Sequence, residues 1–311
     1  MSHIKVVFWG TPNFSIPSLN ECHTNPRINV VAVVTQPDKP VGRSNKPVSP
    51  PIKKIAEGLN IPVFQPSNVK RFRDDLNSIG EFDYNVVVAY GKIIPPSIIT
   101  HPKHSTINVH PSLLPKYRGP APIHYALLHG DKETGISIMQ IDKELDHGPI
   151  LKKETVPIQP NDDYASLLES LSKKGAQILV RTLIEFHDGS ITPKEQNHTK
   201  ATYSKLLTKN DGEIEWSESI HNINNKIRAL NPWPGTYTFW QGKRLKIIKV
   251  KPLTATTLKP GRIAFSENAI YVGTKNGDLQ ILELQREGKE VQSAEDFMKG
   301  NATLAESILP N

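Results

Sequence analysis

Three valine-rich apolar runs, residues 4–10, 28–35 and 85–89, constrain this chain more than any other feature. Each is nearly continuous rather than alternating, as expected of strands buried on both faces of a parallel sheet. Each ends in turn-forming residues: Gly10-Thr11-Pro12, Gln36-Pro37 and Tyr90-Gly91. Residues 13–19 open a helix between the first two runs, and a strand–helix–strand unit of this kind takes a right-handed parallel crossover. Further helices are predicted at residues 52–59, 68–79, 120–129 and 162–188, and strands at 61–64, 106–110, 135–141 and 149–158. Asp162 is placed in the first turn of the long helix, where the macrodipole favours an acid. The pattern predicts an α/β fold with a doubly wound, mostly parallel, Rossmann-like sheet, whose ligands sit outside the strand carboxyl ends. Gly10 lacks the two further glycines of a dinucleotide fingerprint.

A length of 311 residues exceeds one typical core, so about two domains are expected. Residues 190–205, polar and carrying Pro193, read as a linker between a catalytic domain at 1–189 and a second domain at 206–311. In the second domain a helix at 219–230 precedes strand-like segments at 236–240, 245–250, 262–265, 269–272 and 279–284. Turn signals such as Lys275-Asn276-Gly277 separate them, which predicts a small antiparallel, OB-like β-barrel.

No apolar run reaches the roughly 18 residues needed to span a bilayer. The first residues enter a strand at once, leaving no room for a targeting segment, and cytoplasmic residence is expected. Cys22 is the only cysteine and reads as a buried thiol; the 11 histidines are scattered, and no metal is expected. The formal charge of +7 is concentrated locally. Residues 36–54 carry Lys39, Arg43, Lys46, Lys53 and Lys54 against Asp38, and residues 243–251 carry five cations and no acid. Six prolines and glycines exclude regular structure from residues 36–51, leaving a long basic loop of the kind that engages phosphate or nucleic acid.

The stretch 107–119, Ile-Asn-Val-His-Pro-Ser-Leu-Leu-Pro-Lys-Tyr-Arg-Gly, carries the chemistry. Asn108 and His110 are two apart, so on a strand both side chains leave one face. Pro111 and Pro115 hold Ser112-Leu113-Leu114 in a non-helical turn. Read together with Leu145-Asp146-His147-Gly148 downstream, the sequence resembles the folate-dependent formyltransferases. That resemblance implies transfer of a formyl group from 10-formyltetrahydrofolate to an amine, without a metal. It implies that the Asn108 amide donates to the developing oxyanion, that His110 moves the proton, and that Asp146 orients His110. An imidazole suits proton movement near neutral pH. It further implies folate contacts from Ser112, Leu113, Leu114 and Pro115, with Val88, Tyr90 and Gly91 on the pterin side. The family commonly has a small residue at Pro111, and proline there removes one backbone donor.

Within that superfamily the sequence is similar to the methionyl-tRNA formyltransferases along its whole length. The similarity rests on residues 8–14 (Phe-Trp-Gly-Thr-Pro-Asn-Phe), 35–40 (Thr-Gln-Pro-Asp-Lys-Pro), 86–91 (Val-Val-Val-Ala-Tyr-Gly) and 228–235 (Arg-Ala-Leu-Asn-Pro-Trp-Pro-Gly). It implies initiator methionyl-tRNA as partner, in support of translation initiation, with no membrane or protein partner required. Lys39, Arg43 and Lys46 would then meet the acceptor end, and Lys243, Arg244, Lys246 and Lys249 the arm. If 243–251 is a regular strand, Arg244 and Lys246 lie on one face and Lys249 and Lys251 on the other, so only some can touch RNA. Phe14 reads as part of a methionine pocket or as core. Glu290 stands where the family often has a basic residue, which weakens phosphate binding there. Glycinamide ribonucleotide, a sugar nucleotide, or a folate- or RNA-binding role without catalysis are the alternatives.

Overall fold

The computed structural model describes residues 3–40, 46–266 and 268–310. Arg43 lies outside the described residues. The chain divides into two compact units: residues 1–122, 133–157 and 167–204, and residues 123–132, 158–166 and 205–311.

In chain order the strands of the first unit are β1 (Ile4–Gly10), β2 (Ile28–Val34), β3 (Lys39–Pro40), β4 (Pro47–Val48), β5 (Val63–Phe64), β6 (Tyr84–Val88), β7 (Ser105–His110), β8 (Glu133–Gln140) and β9 (Ile150–Pro157). Seven of them form one sheet, ordered β5-β2-β1-β6-β7-β8-β9. The first five are parallel and β8 and β9 antiparallel, which is the mostly parallel sheet expected. The helices of the first unit are α1 (Ile16–Thr24), α2 (Pro51–Gly58), α3 (Arg73–Ile79), α4 (Pro96–Ile99) and, from Leu167 onward, the long α6 (Tyr164–His187), whereas α5 (Pro122–Leu128) belongs from Ile123 to the second unit.

Burial explains the strand sequences. Every residue of β1 except Lys5 is buried. Trp9 meets Phe72 and Tyr90 edge-on, at ring separations of 5.7 and 5.1 Å. Contacts of this kind are worth about 0.5–1.5 kcal/mol each beyond area burial. The indole N–H of Trp9 donates to Asn85 Oδ1 at 2.8 Å, and the Asn85 amide donates to the Ile98 carbonyl and to Thr106 Oγ1. Asn85 is tolerated in the core because it answers polar groups on other elements. Cys22 is fully buried, and burial pushes its thiol up to about 12.

Three local expectations need correction. The proline-rich loop is not devoid of regular structure: β3 and β4 pair antiparallel, Lys39 with Val48 and Pro40 with Pro47. So short a ladder tolerates proline, because few backbone N–H groups are needed to pair it. Asp38 ties its base, accepting from Gln65, Ser49 and Lys53, and these hydrogen bonds, Gln65 foremost, hold its carboxyl below the usual range. Residues 68–79 are a 3-10 turn at Val69–Arg71 followed by α3, not one helix. Asp162 precedes α6, and the cap is Asp163, which accepts from the Ser166 N–H while the Ser166 hydroxyl takes the Asp163 N–H.

Residues 190–204, within the stretch 190–205 expected to link the two domains, are hydrogen-bonded into the first unit. Lys194 and Ile150 exchange backbone hydrogen bonds, and Arg118 bridges Tyr203. Most of the segment is exposed, and its two buried side chains, Gln196 and Ser204, are polar because they serve as hydrogen-bond partners.

The second unit holds α7 (Ile220–Leu230), capped by Ser219, then β10 (Tyr237–Trp240), β11 (Lys243–Leu253), β12 (Ile263–Ser266), β13 (Ala269–Gly273), β14 (Asp278–Arg286) and β15 (Gln292–Ser293). The antiparallel sheet runs β10-β11-β14-β13-β12, with β15 on β14. Trp216, Ile223, Ile247, Ile281 and Phe297 anchor its core. A final helix, α8 (Ala294–Gly300), has no counterpart in the sequence expectation; Ser293 caps it and Phe297 is its buried anchor.

The register of β11 corrects a further expectation. Ile247 pairs with Leu284 but Lys249 with Glu283 and Val250 with Ile281, so Ile248 on β11 and Leu282 on β14 each bulge out of the ladder and the register is then restored. Leu245 and Ile247 point inward before Ile248 and Val250 packs against the core after it. A bulge reverses the alternation. Arg244, Lys246, Lys249 and Lys251 therefore share the outer face. No helix among the described residues is long and apolar enough to cross a membrane.

Candidate active site

The register brings three strand ends together: Gly10 pairs with Val88, and Val87 with Asn108. On β7, Val109 faces α6, where a Cβ added to Gly175 would stand 3.1 Å from it. Asn108 and His110 therefore leave the opposite face, as their spacing implied. The Asn108 side chain is half-buried and makes no hydrogen bond among the described residues.

His110 is 4% exposed. Its Nε2 lies 2.9 Å from the Tyr117 carbonyl, and its Nδ1 lies 3.7 Å from Asp146 Oδ2. A carbonyl only accepts, so Nε2 carries a proton and Nδ1 is left facing the carboxylate. The ring is thus oriented by a backbone carbonyl rather than by Asp146, whose Oδ2 instead accepts from the Gly119 N–H at 2.7 Å. Asp146 serves as the charge opposite Nδ1. Tyr117, Gly119 and Asp146 all have positive φ, at 59°, 109° and 48°. Such backbones are uncommon away from glycine and cluster at functional sites.

The turn after His110 is tied from within. Ser112 N–H donates to the His110 carbonyl, and the Ser112 hydroxyl to the Lys116 carbonyl. Ser137 Oγ donates to the Ser112 carbonyl and accepts from the Leu114 N–H. The Ser112 and Leu114 side chains are buried, so Leu113 and Pro115 are the half-exposed members of the set expected at folate. On β6 the correction is larger: the side chains of Val88 and Tyr90 lie in the core. The Tyr90 hydroxyl is buried without a hydrogen-bond partner among the described residues, burial pushing it up to about 12, and the Tyr90 carbonyl accepts from Thr11 Oγ1 and Gln36 Nε2. What this corner offers a ligand is exposed backbone at Ala89 and Gly91, both at positive φ.

The profile described as Formyl transferase matches residues 3–183, and that described as Formyl transferase, C-terminal domain, matches residues 206–302. The chain belongs to the formyl transferase family. Among relatives of the formyl transferases, the methionyl-tRNA formyltransferase of Geobacter metallireducens is 44% identical over 96% of this chain and 96% of its own length. That of Thermodesulfovibrio yellowstonii is 43% identical over 95% of each. A crystal structure of HypX from Aquifex aeolicus with tetrahydrofolic acid superposes with a TM-score of 0.65 at 15% identity, over 99% of this chain and 48% of HypX. This chain thus spans about half of HypX, and at that identity the likeness is one of fold alone.

The remaining expected residues of this formyl transferase fall elsewhere. Phe14 is 6% exposed and its carbonyl accepts from Ser172 Oγ, which marks it as a core residue. Lys39 is exposed and donates to Gln36 Oε1, and Lys46 is exposed. Lys243, Lys246 and Lys249 are exposed on β11, whereas Arg244 is half-buried over the Tyr237 ring at 4.3 Å.

Sequence reasoning missed the buried support of the site. Arg118 is 2% exposed and meets no carboxylate among the described residues. Its guanidinium donates to Gln196 Oε1 and to His198 Nδ1, and His198 stacks at 4.0 Å on His147, which pairs with Asp142. The only advance signal was Arg118 standing in the motif itself. Its partners lie 78 and 80 positions away.

Proposed function

We propose that this enzyme transfers the formyl group of 10-formyltetrahydrofolate to the α-amino group of methionine on initiator methionyl-tRNA, in the cytoplasm, in support of translation initiation. The observation that carries the reading is the unpartnered Asn108 amide on the same strand face as a His110 whose Nδ1 looks at Asp146. The folate donor supplies an activated formyl carbon. Attack by the amine gathers negative charge on the formyl oxygen, and the Asn108 amide donates to it. Removing a donor of this kind typically costs about 100- to 1000-fold in rate. Because Nε2 is held on the Tyr117 carbonyl, Nδ1 is the nitrogen that takes the proton of the amine. Asp146 stabilises the imidazolium so formed and lets it return the proton to the leaving nitrogen. Leu113, Pro115 and the open backbone at Ala89 and Gly91 would hold the folate.

The acceptor reading rests on the relatives and on charge. Four cations on the outer face of β11 would neutralise phosphates of the tRNA, with residues 206–311 as the tRNA-binding domain and 1–189 as the catalytic one. The basic stretch 36–51, with Lys39, Arg43 and Lys46, would engage the acceptor end. The test offers charged initiator methionyl-tRNA, glycinamide ribonucleotide and an amino-sugar nucleotide separately, with 10-formyltetrahydrofolate. Transfer to the charged tRNA alone is expected. Transfer to either small molecule instead would overturn the acceptor, and transfer to none would leave a binding protein.

A further inference from the structure

Gln196 is 5% exposed and uses both ends of its amide. Its Oε1 accepts from Arg118 Nε at 3.2 Å and Nη2 at 2.7 Å. Its Nε2 donates to the carbonyls of Asp146 and Gly148, at 2.9 and 2.8 Å. The loop carrying Asp146 is thereby gripped on both sides of His147, while the Asp146 carboxylate is held by the N–H of Gly119, the residue next to Arg118. Two neighbouring residues of the His110 turn thus hold the same aspartate, Gly119 directly and Arg118 through Gln196.

We propose that Gln196 is a positioning residue, which fixes the loop 142–148 on the His110 turn so that the Asp146 carboxylate faces His110 Nδ1. The inference rests on the role given to Asp146 above. A glutamine is the side chain the position requires. It must offer one oxygen to a guanidinium and two N–H groups to two carbonyls, which no carboxylate can do. Glutamate at 196 would satisfy Arg118 better, as an ion pair, but would turn an acceptor toward two acceptors. Gln196 touches no reacting atom, so its effect is on geometry, where a displacement of about 1 Å can cost about 100-fold.

The experiment compares Gln196→Glu, Gln196→Met and Asp146→Asn by steady-state kinetics and thermal unfolding. A mere partner for Arg118 and a positioning residue give opposite results in the glutamate variant. Positioning predicts that Gln196→Glu unfolds within a few degrees of wild type yet loses about 10- to 100-fold in kcat, with KM for both substrates within about threefold. Gln196→Met is expected to lose as much in kcat and to be less stable. A Gln196→Glu enzyme with kcat within about twofold of wild type would overturn the proposal while Asp146→Asn stays slow. Should Asp146→Asn itself keep wild-type kcat, the role of Asp146 fails and the inference with it.

Discussion

The Tyr117 carbonyl lies 2.9 Å from His110 Nε2, seven residues earlier in the same turn. Tyr117 can aim its carbonyl there because its backbone is left-handed, with φ at 59°. One main-chain atom thus decides which ring nitrogen is available for chemistry, as the second partner of a histidine generally does.

The tautomer can be measured without turnover. With ¹⁵N-labelled histidine, the neutral His110 ring is expected to show a protonated Nε2 and a bare Nδ1. A protonated Nδ1 would reverse the assignment and remove Nδ1 as the proton acceptor.

The bulge in β11 makes the charge row testable. With Lys246 and Lys249 on one face, replacing both by alanine should raise the KM for charged tRNA. It should also lower the slope of log affinity against log salt by about 0.7–0.9 for each phosphate no longer neutralised. An unchanged slope would take this face out of the RNA site.

His124, stacked on Tyr164 at 4.0 Å, is driven down to about 4 by burial. The folded state resists protonating it more than the unfolded chain does. The sign follows: its contribution is intact above about pH 6.5, the ordinary value, and is lost as the pH falls from there toward 4. The loss is no more than about 3 kcal/mol. His124→Phe, which keeps the stacking, should flatten the fall in Tm between pH 7 and pH 5. An equal fall in both proteins would place the acid sensitivity elsewhere.

What could be read in advance follows periodicity. The runs at residues 4–10, 28–35 and 85–89 were legible because strands buried on both faces have one kind of sequence. Asn108 and His110 were legible because a spacing of two has one meaning on a strand. Three things were hidden for physical reasons. The bulge near Ile248 reverses side-chain alternation by a single residue, and nothing in Lys-Ile-Ile-Lys announces it. The hold on His110 comes from a main-chain carbonyl, which any residue possesses. The support of Asp146 comes from Gln196, 50 positions away in a polar stretch that resembles a linker until its partners are known. The core places of Val88, Tyr90 and Phe14 show the converse: residues of a recognisable motif can serve it through their backbone or packing alone.

The most direct measurement is single-turnover formyl transfer from 10-formyltetrahydrofolate to charged initiator methionyl-tRNA by wild type, Asn108→Ala and His110→Ala, with tRNA affinity measured alongside. Losses of about 100- to 1000-fold for Asn108→Ala and of at least about 100-fold for His110→Ala are expected, with affinity nearly unchanged. Near-wild-type transfer by either variant, or a loss explained wholly by weaker tRNA binding, would contradict the assignment of this strand face as the catalytic centre.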